Sequence, residues 1–215
     1  MSSSSTVIKP WCLETVTSSN IISFSGSLPI LWIPFGKNHD VEVISSLSSD
    51  KIYFEFWVRI KESSIGIVSL LKNQTDYKLD VHLMLENNSK YVEKVIDYGA
   101  DIVTVHCEST DIDEFKSITN NYDNIGIGIL PSTNMEVLKS YADFTSIFLL
   151  LTVNPGFSNQ HKAVNLVDRV NEFNNVITEK STTLIIDGGV TAKDLQSLED
   201  NGVDIAVQGG AIFGN

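Results

Sequence analysis

Basic residues are scarce in this chain, with 15 Lys and Arg against 27 Asp and Glu in 215 residues and a net charge of −12. The few there are stand singly, so no basic patch exists to neutralise a polyphosphate backbone or an anionic lipid surface. Neither nucleic acid nor a membrane is therefore an expected partner. Cysteine is limited to Cys12 and Cys107, too few for a disulfide framework and wrongly spaced for a zinc or redox motif. Both are expected to be buried, reduced thiols of a cytoplasmic protein. Long apolar runs are missing too. Residues 15–36 are uncharged, but serines, Asn20, Pro29 and Pro34 interrupt them, so the roughly 20 consecutive apolar residues of a bilayer span are not found. Ser2 to Ser5 offer no positive leader, and Lys9 and Glu14 nearly cancel, so no signal peptide is expected.

What is present is a recurring alternation. Short apolar runs rich in β-branched and aromatic residues occur at Leu28 to Ile33, Ile52 to Val58, Leu79 to Leu85, Ile102 to Cys107, Ile125 to Leu130, Ser146 to Val153, Thr183 to Ile186 and Asp204 to Gln208. Each is followed by a stretch of helical periodicity. Tyr91, Val92, Val95 and Ile96 recur at three- and four-residue offsets with Gly99 as a stop, and a similar pattern from Ala192 to Asn201 ends at Gly202. Alternating strand and helix predicts a parallel sheet with right-handed crossovers, its strands buried on both faces. Eight units with strand starts about 20 to 30 residues apart match an eight-stranded barrel better than an open doubly wound sheet. The expected fold is α/β, a single (β/α)8 TIM barrel over 28–215 behind a Ser-rich lead over 1–27. Its closing C-terminal helix is expected to be missing or reduced, because Gly209 to Phe213 follow the eighth strand directly.

In such a barrel, function gathers at the C-terminal ends of the strands. Strand three ends in Asp80-Val81-His82-Leu83-Met84, whose alternation turns Asp80, His82 and Met84 to one face. His82 is a candidate metal ligand or acid/base group, with a hydrogen-bonded core histidine as the alternative. Strand six runs into Thr152-Val153-Asn154-Pro155-Gly156-Phe157-Ser158-Asn159, either an ordinary turn or one whose free amides hold an anion. Strands seven and eight end in Asp187-Gly188-Gly189 and Gln208-Gly209-Gly210. Glycine pairs there suit a phosphate dianion held by amide hydrogens, so a small phosphorylated ligand is expected.

These residues resemble the ribulose-phosphate 3-epimerase family. The likeness is carried by Asp80-Val81-His82-Leu83-Met84, Gly99-Ala100-Asp101, Val103-Thr104-Val105-His106, Thr152-Val153-Asn154-Pro155-Gly156-Phe157, Asp187-Gly188-Gly189 and Gly209-Gly210-Ala211-Ile212-Phe213. The resemblance implies epimerisation of D-ribulose 5-phosphate to D-xylulose 5-phosphate at C3, in the pentose phosphate pathway. Two carboxylates flank the sugar, and a divalent ion (zinc, manganese, iron(II) or cobalt) stabilises the enediolate. It also implies a homo-oligomer.

Carried over by position, His82, Asp187 and Glu55 would bind the metal, and Asp187 and Glu55 would exchange the proton. His82, Gly156, Phe157, Ser158, Asn159, Gly188, Gly189, Gly209 and Gly210 would hold the substrate and its phosphate. The family has a His-x-Asp on strand two where this chain has Tyr53-Phe54-Glu55. Glutamate can replace aspartate, whereas tyrosine is a poor ligand for these ions. His106 reads as a residue that supports a ligand rather than one itself. The alternative is a catalytically impaired homologue that binds a sugar phosphate without turning it over. A keto-sugar-phosphate decarboxylase or hexulose-phosphate synthase would place a lysine where this chain has His82.

Overall fold

The computed structural model describes residues 41–48, 51–58, 65–74, 78–154, 161–178 and 181–208, the first two segments through their backbone alone. One eight-stranded sheet runs in chain order through β1 (Val41–Ser48), β2 (Lys51–Val58), β3 (Lys78–Leu83), β4 (Ile102–His106), β5 (Ile125–Ile129), β6 (Ile147–Leu151), β7 (Thr183–Asp187) and β8 (Ile205–Val207). Every neighbouring pair from β2 to β8 is parallel. Helices α1 (Gly66–Gln74), α2 (Asn88–Asp97), α3 (Ile112–Thr119), α4 (Leu166–Val176) and α5 (Leu195–Asp200) alternate with the strands, and a 3₁₀ helix (Met135–Ser140) links β5 to β6. The last strand comes back beside the first, with Cα atoms of β8 and β1 within 8 Å. This is the curled sheet and alternating helix of a (β/α)8 barrel.

The sheet departs from the expected one at its start. The expected first strand, Leu28 to Ile33, lies outside the described residues, and the structure instead pairs β1 with β2 antiparallel, from Val41↔Val58 to Ser48↔Lys51. Only Ser49 and Asp50 separate these strands, a connection that joins antiparallel neighbours but is far too short for a parallel crossover.

From β3 onward both sheet faces are buried, which explains the nearly continuous apolar runs. Leu79, Val81, Leu83, Val103, Val105, Ile127, Ile129, Phe148, Leu150 and Ile186 pack outward with Val92, Val95, Phe115, Val170 and Phe173 from the helices. Leu149, Leu151, Val153, Ile185 and Val207 form a second, inner cluster against which Met84, Leu130, Ile147 and Ile205 pack. Residue parity thus assigns each strand residue to the helical layer or the interior.

Helix ends follow local chemistry. Asp111 accepts from the amides of Asp113 and Glu114 at the start of α3, and Asn165 accepts from Val167 and Asp168 at the start of α4. At the end of α2, Gly99 has φ 98°, its amide donates to Ile96 O and that of Ala100 to Val95 O. That pair of bonds closes the helix as the glycine stop predicted.

Candidate active site

Parity on β3 and β4 turns His82 and His106 inward, and the register His82↔Thr104 sets His106 one pleat beyond His82's own partner. Both imidazoles are buried, and their Nε2 atoms approach to 2.5 Å. Ring centroids stand 4.6 Å apart with planes inclined by 18°, the spacing of near-coplanar rings meeting vertex to vertex rather than face to face. Room for this comes from β5. A Cβ on Gly128 would lie 3.0 Å from His106 Nε2, and one on Gly126 would lie 2.8 Å from Thr104 Oγ1. The Gly-x-Gly of β5 therefore leaves space for the polar side chains of β4.

Beyond His106 the chain of contacts continues outward. Nδ1 of His106 lies 3.0 Å from Glu108 Oε2, and Glu108 Oε1 accepts from the Leu130 amide at 2.8 Å. Arg169, buried on α4, donates from Nη2 to the carbonyls of Leu130 at 3.0 Å and Thr133 at 2.9 Å, and from Nη1 to Glu172 at 2.6 Å. The guanidinium holds the loop after β5, and that loop holds Glu108. Asn88 joins the loops after β3 and β4 by donating to Leu85 O, Ser109 Oγ and Thr110 Oγ1.

Burial by itself would raise the Glu108 carboxyl, but hydrogen bonds from His106, Thr133 and the Leu130 amide outweigh it and bring the group from its ordinary 4.5 down to about 2. A group depressed on folding stabilises the protein fully above its unfolded value and loses that contribution as pH falls. The window here runs from pH 4.5 down towards 2, and the contribution is roughly 2–3 kcal/mol. Urea unfolding across that window is expected to show the acid-side loss in the native protein and a flatter profile in Glu108→Gln. An unchanged profile in the variant would assign the loss to other carboxylates.

Cys107 is half-buried rather than buried as expected. It ends strand four just past the regular ladder, where the chain starts to leave the sheet. Burial, then the charge of Glu108, pushes its thiol up, so it stays protonated and unreactive. Cys12 lies outside the described residues.

Across the barrel, Asp187 ends β7 as the ladder partner of Leu151 and Val207, and its side chain is buried on the inner face. Thr152 ties the turn down: its amide and its hydroxyl each donate to Asp187 O at 2.7 Å, and the hydroxyl also donates to Gly188 O. Gly188 has φ 111° and Gly189 φ 67°. Such values suit glycine, which has no Cβ to oppose them.

The structure thus describes His82, Asp187, Gly188 and Gly189. Glu55 is described through its backbone only, as the ladder partner of Lys78, while Trp57 pairs with Asp80. Gly156, Phe157, Ser158, Asn159, Gly209 and Gly210 lie outside the described residues. Among the described residues no three His, Cys, Asp or Glu side chains come together in a way that could hold a metal ion. The imidazole of His82 and carboxylate of Asp187 are suitable donors in kind, and a complete set would need Glu55. Sequence reasoning missed Glu108 and Gly128. Their signal was a His-x-Glu at a strand end beside a Gly-x-Gly in the next strand.

The model of the ribulose-phosphate 3 epimerase family matches residues 58–213. The chain belongs to this family. Proteins named ribulose-phosphate 3-epimerase from Treponema pallidum and Bacillus subtilis are each 30% identical to it, over 152 residues (68% of this chain, 69% of theirs) and 153 residues (69% and 70%). The chloroplastic ribulose-5-phosphate-3-epimerase of Arabidopsis thaliana is 30% identical over 154 residues, covering 69% of this chain but 55% of that protein. Among solved structures, KGPDC from Streptococcus mutans is similar at TM-score 0.52 and 15% identity, over 68% of this chain and 69% of that one. A tryptophan synthase alpha-subunit from Pyrococcus furiosus is similar at TM-score 0.51 and 17% identity, over 71% and 64%. These two likenesses concern the barrel fold alone. No helix among the described residues is long and apolar enough to cross a membrane.

Proposed function

We propose that this protein interconverts ribulose 5-phosphate and xylulose 5-phosphate by proton exchange at C3. The observation that carries the reading is Asp187, a buried carboxylate at the end of β7 beside the positive-φ pair Gly188-Gly189. Phosphate would be gripped by amides of Gly188, Gly189, Gly209 and Gly210 and of 156–159, which needs no basic residue and agrees with a net charge of −12. One carboxylate, Asp187 or Glu55, takes the C3 proton as the electron pair moves towards the C2 oxygen to give an enediolate. The other, already protonated, delivers its proton to the opposite face of C3. The two have then exchanged protonation states, and proton exchange with solvent, or the reverse turnover, restores them. His82, Asp187 and Glu55 would hold a divalent ion (zinc, manganese, iron(II) or cobalt). When bound, that ion supplies positive charge to offset the developing enediolate. The substrate is a small phosphorylated sugar and the setting cytoplasmic.

The test is solvent deuterium incorporation at C3 of ribulose 5-phosphate, followed by NMR, with protein stripped of metal and resupplied with each of the four ions. Metal-dependent exchange is the expected result. Ribulose 5-phosphate binding without exchange under any ion would overturn the reading in favour of a sugar-phosphate-binding homologue, the outcome that Tyr53 in place of a histidine would then explain.

A further inference from the structure

We propose that Glu108, acting through His106, is a positioning residue that selects which ring nitrogen of His82 is offered to the barrel interior. The described geometry supplies a linear chain from the Glu108 carboxylate to His106 Nδ1, through that ring to its Nε2, and on to His82 Nε2. An ionised carboxylate only accepts hydrogen bonds, and Glu108 collects them from His106, Thr133 and the Leu130 amide. The proton of His106 therefore sits on Nδ1. In a neutral imidazole the other nitrogen then carries a lone pair, so His106 Nε2 accepts. Its partner at 2.5 Å, His82 Nε2, must donate. A neutral His82 that donates from Nε2 carries its lone pair on Nδ1. The network thus assigns the tautomer of a ring 24 positions from His106 in sequence.

The surroundings hold this arrangement rigid. Gly128 leaves no side chain to push His106 off His82. Arg169 pins the carbonyls of Leu130 and Thr133, the two residues whose amide and hydroxyl Glu108 accepts from. Both imidazoles are buried among the inner side chains of the barrel. The opposite arrangement would place the proton on His82 Nδ1 and leave only Nε2 bare, a nitrogen already occupied by His106. Neither nitrogen of His82 could then hold a cation. The functional half of the proposal rests on the metal-assisted reading above; the tautomer half does not.

Long-range proton–nitrogen correlation spectra of ¹⁵N-labelled protein at about pH 8, well above the ordinary histidine value, separate these states. The chain has only four histidines, so substituting His39, His161 and His106 in turn assigns the signals of every ring, His82 included. Expected in the metal-free native protein are an Nε2–H tautomer for His82 and an Nδ1–H tautomer for His106. In Glu108→Gln, whose amide can either donate or accept, both rings are expected to lose their single tautomer, and zinc affinity to fall about 10–100-fold. Added zinc is expected to move the Nδ1 signal of His82. An Nδ1–H tautomer for His82 in the native protein would overturn the proposal, and so would zinc bound through both Nε2 atoms. Should Glu108→Gln fail to fold, the native spectrum still decides. The expected tautomers with no zinc response would retain the network and sink the metal-assisted reading alone.

Discussion

Asp187→Asn is expected to lower C3 exchange by 10³-fold or more while leaving phosphate binding measurable. The substitution keeps volume and shape and removes only the charge and the ability to take up a proton. General acid–base catalysis by a positioned group is worth about 10²–10⁴-fold, and losing a charged donor to the ion adds to that loss. Each factor of ten corresponds to about 1.4 kcal/mol of barrier. Phosphate binding is expected to persist because the proposed grip is made of glycine amides, and Thr152 holds the Asp187–Gly188 backbone through carbonyl oxygens rather than through the carboxylate. The paired measurements are deuterium exchange at C3 and ligand-induced thermal shift with inorganic phosphate. Exchange within tenfold of the native rate would remove Asp187 from the reaction.

Gly188→Ala carries the largest expected effect on stability, about 3–5 kcal/mol. Two separate penalties meet at this residue. Its φ of 111° is unfavourable for any side chain, and a Cβ would stand 2.8 Å from Val153 Cγ2 and 2.9 Å from the Val153 backbone nitrogen. The backbone contact cannot be relieved by a rotamer change, so β6 and β7 must part at their C-terminal ends, where Asp187 is held. Turnover is expected to fall along with stability. Gly202→Ala is the control: φ there is 88° but a Cβ would meet nothing within 4 Å, so only the conformational penalty of about 1–2 kcal/mol applies. Urea unfolding of both variants measures the difference, and equal losses would show that the close approach to Val153 contributes nothing.

Much of this architecture could be read from local signals. The runs beginning at Ile102, Ile125, Ser146 and Thr183 fall on β4 to β7 within a residue or two, because strands covered on both faces need apolar residues at both parities. Gly99 ends α2 since the left-handed turn needed there is a property of one residue. The first strands were harder. Nothing in Val41–Ser48 says whether its partner runs parallel or antiparallel, and the two-residue link that decides it is legible only once both strands are known to exist.

The candidate site divides along the same line. His82 and Asp187 could be picked out because each places a group capable of chemistry in or at the end of an apolar run, and Gly188-Gly189 because paired glycines at a strand end serve backbone approach. Glu108 offered only the weaker signal of a His-x-Glu at a strand end, since an acidic residue in a loop is ordinarily a solvated one. Its role depends on a donor from the loop after the next strand, on Arg169 from a helix two units later and on the space above Gly128.

Sequence alone determined the alternation of strand and helix, the parity that turns His82, His106 and Asp187 inward, and the glycines at strand ends, all of which depend on residues a few positions apart. Only the tertiary structure decided that His82 meets His106 and that His106 meets Glu108. Those meetings depend on the ladder His82↔Thr104, and a slip of one residue would turn His106 to the helical face.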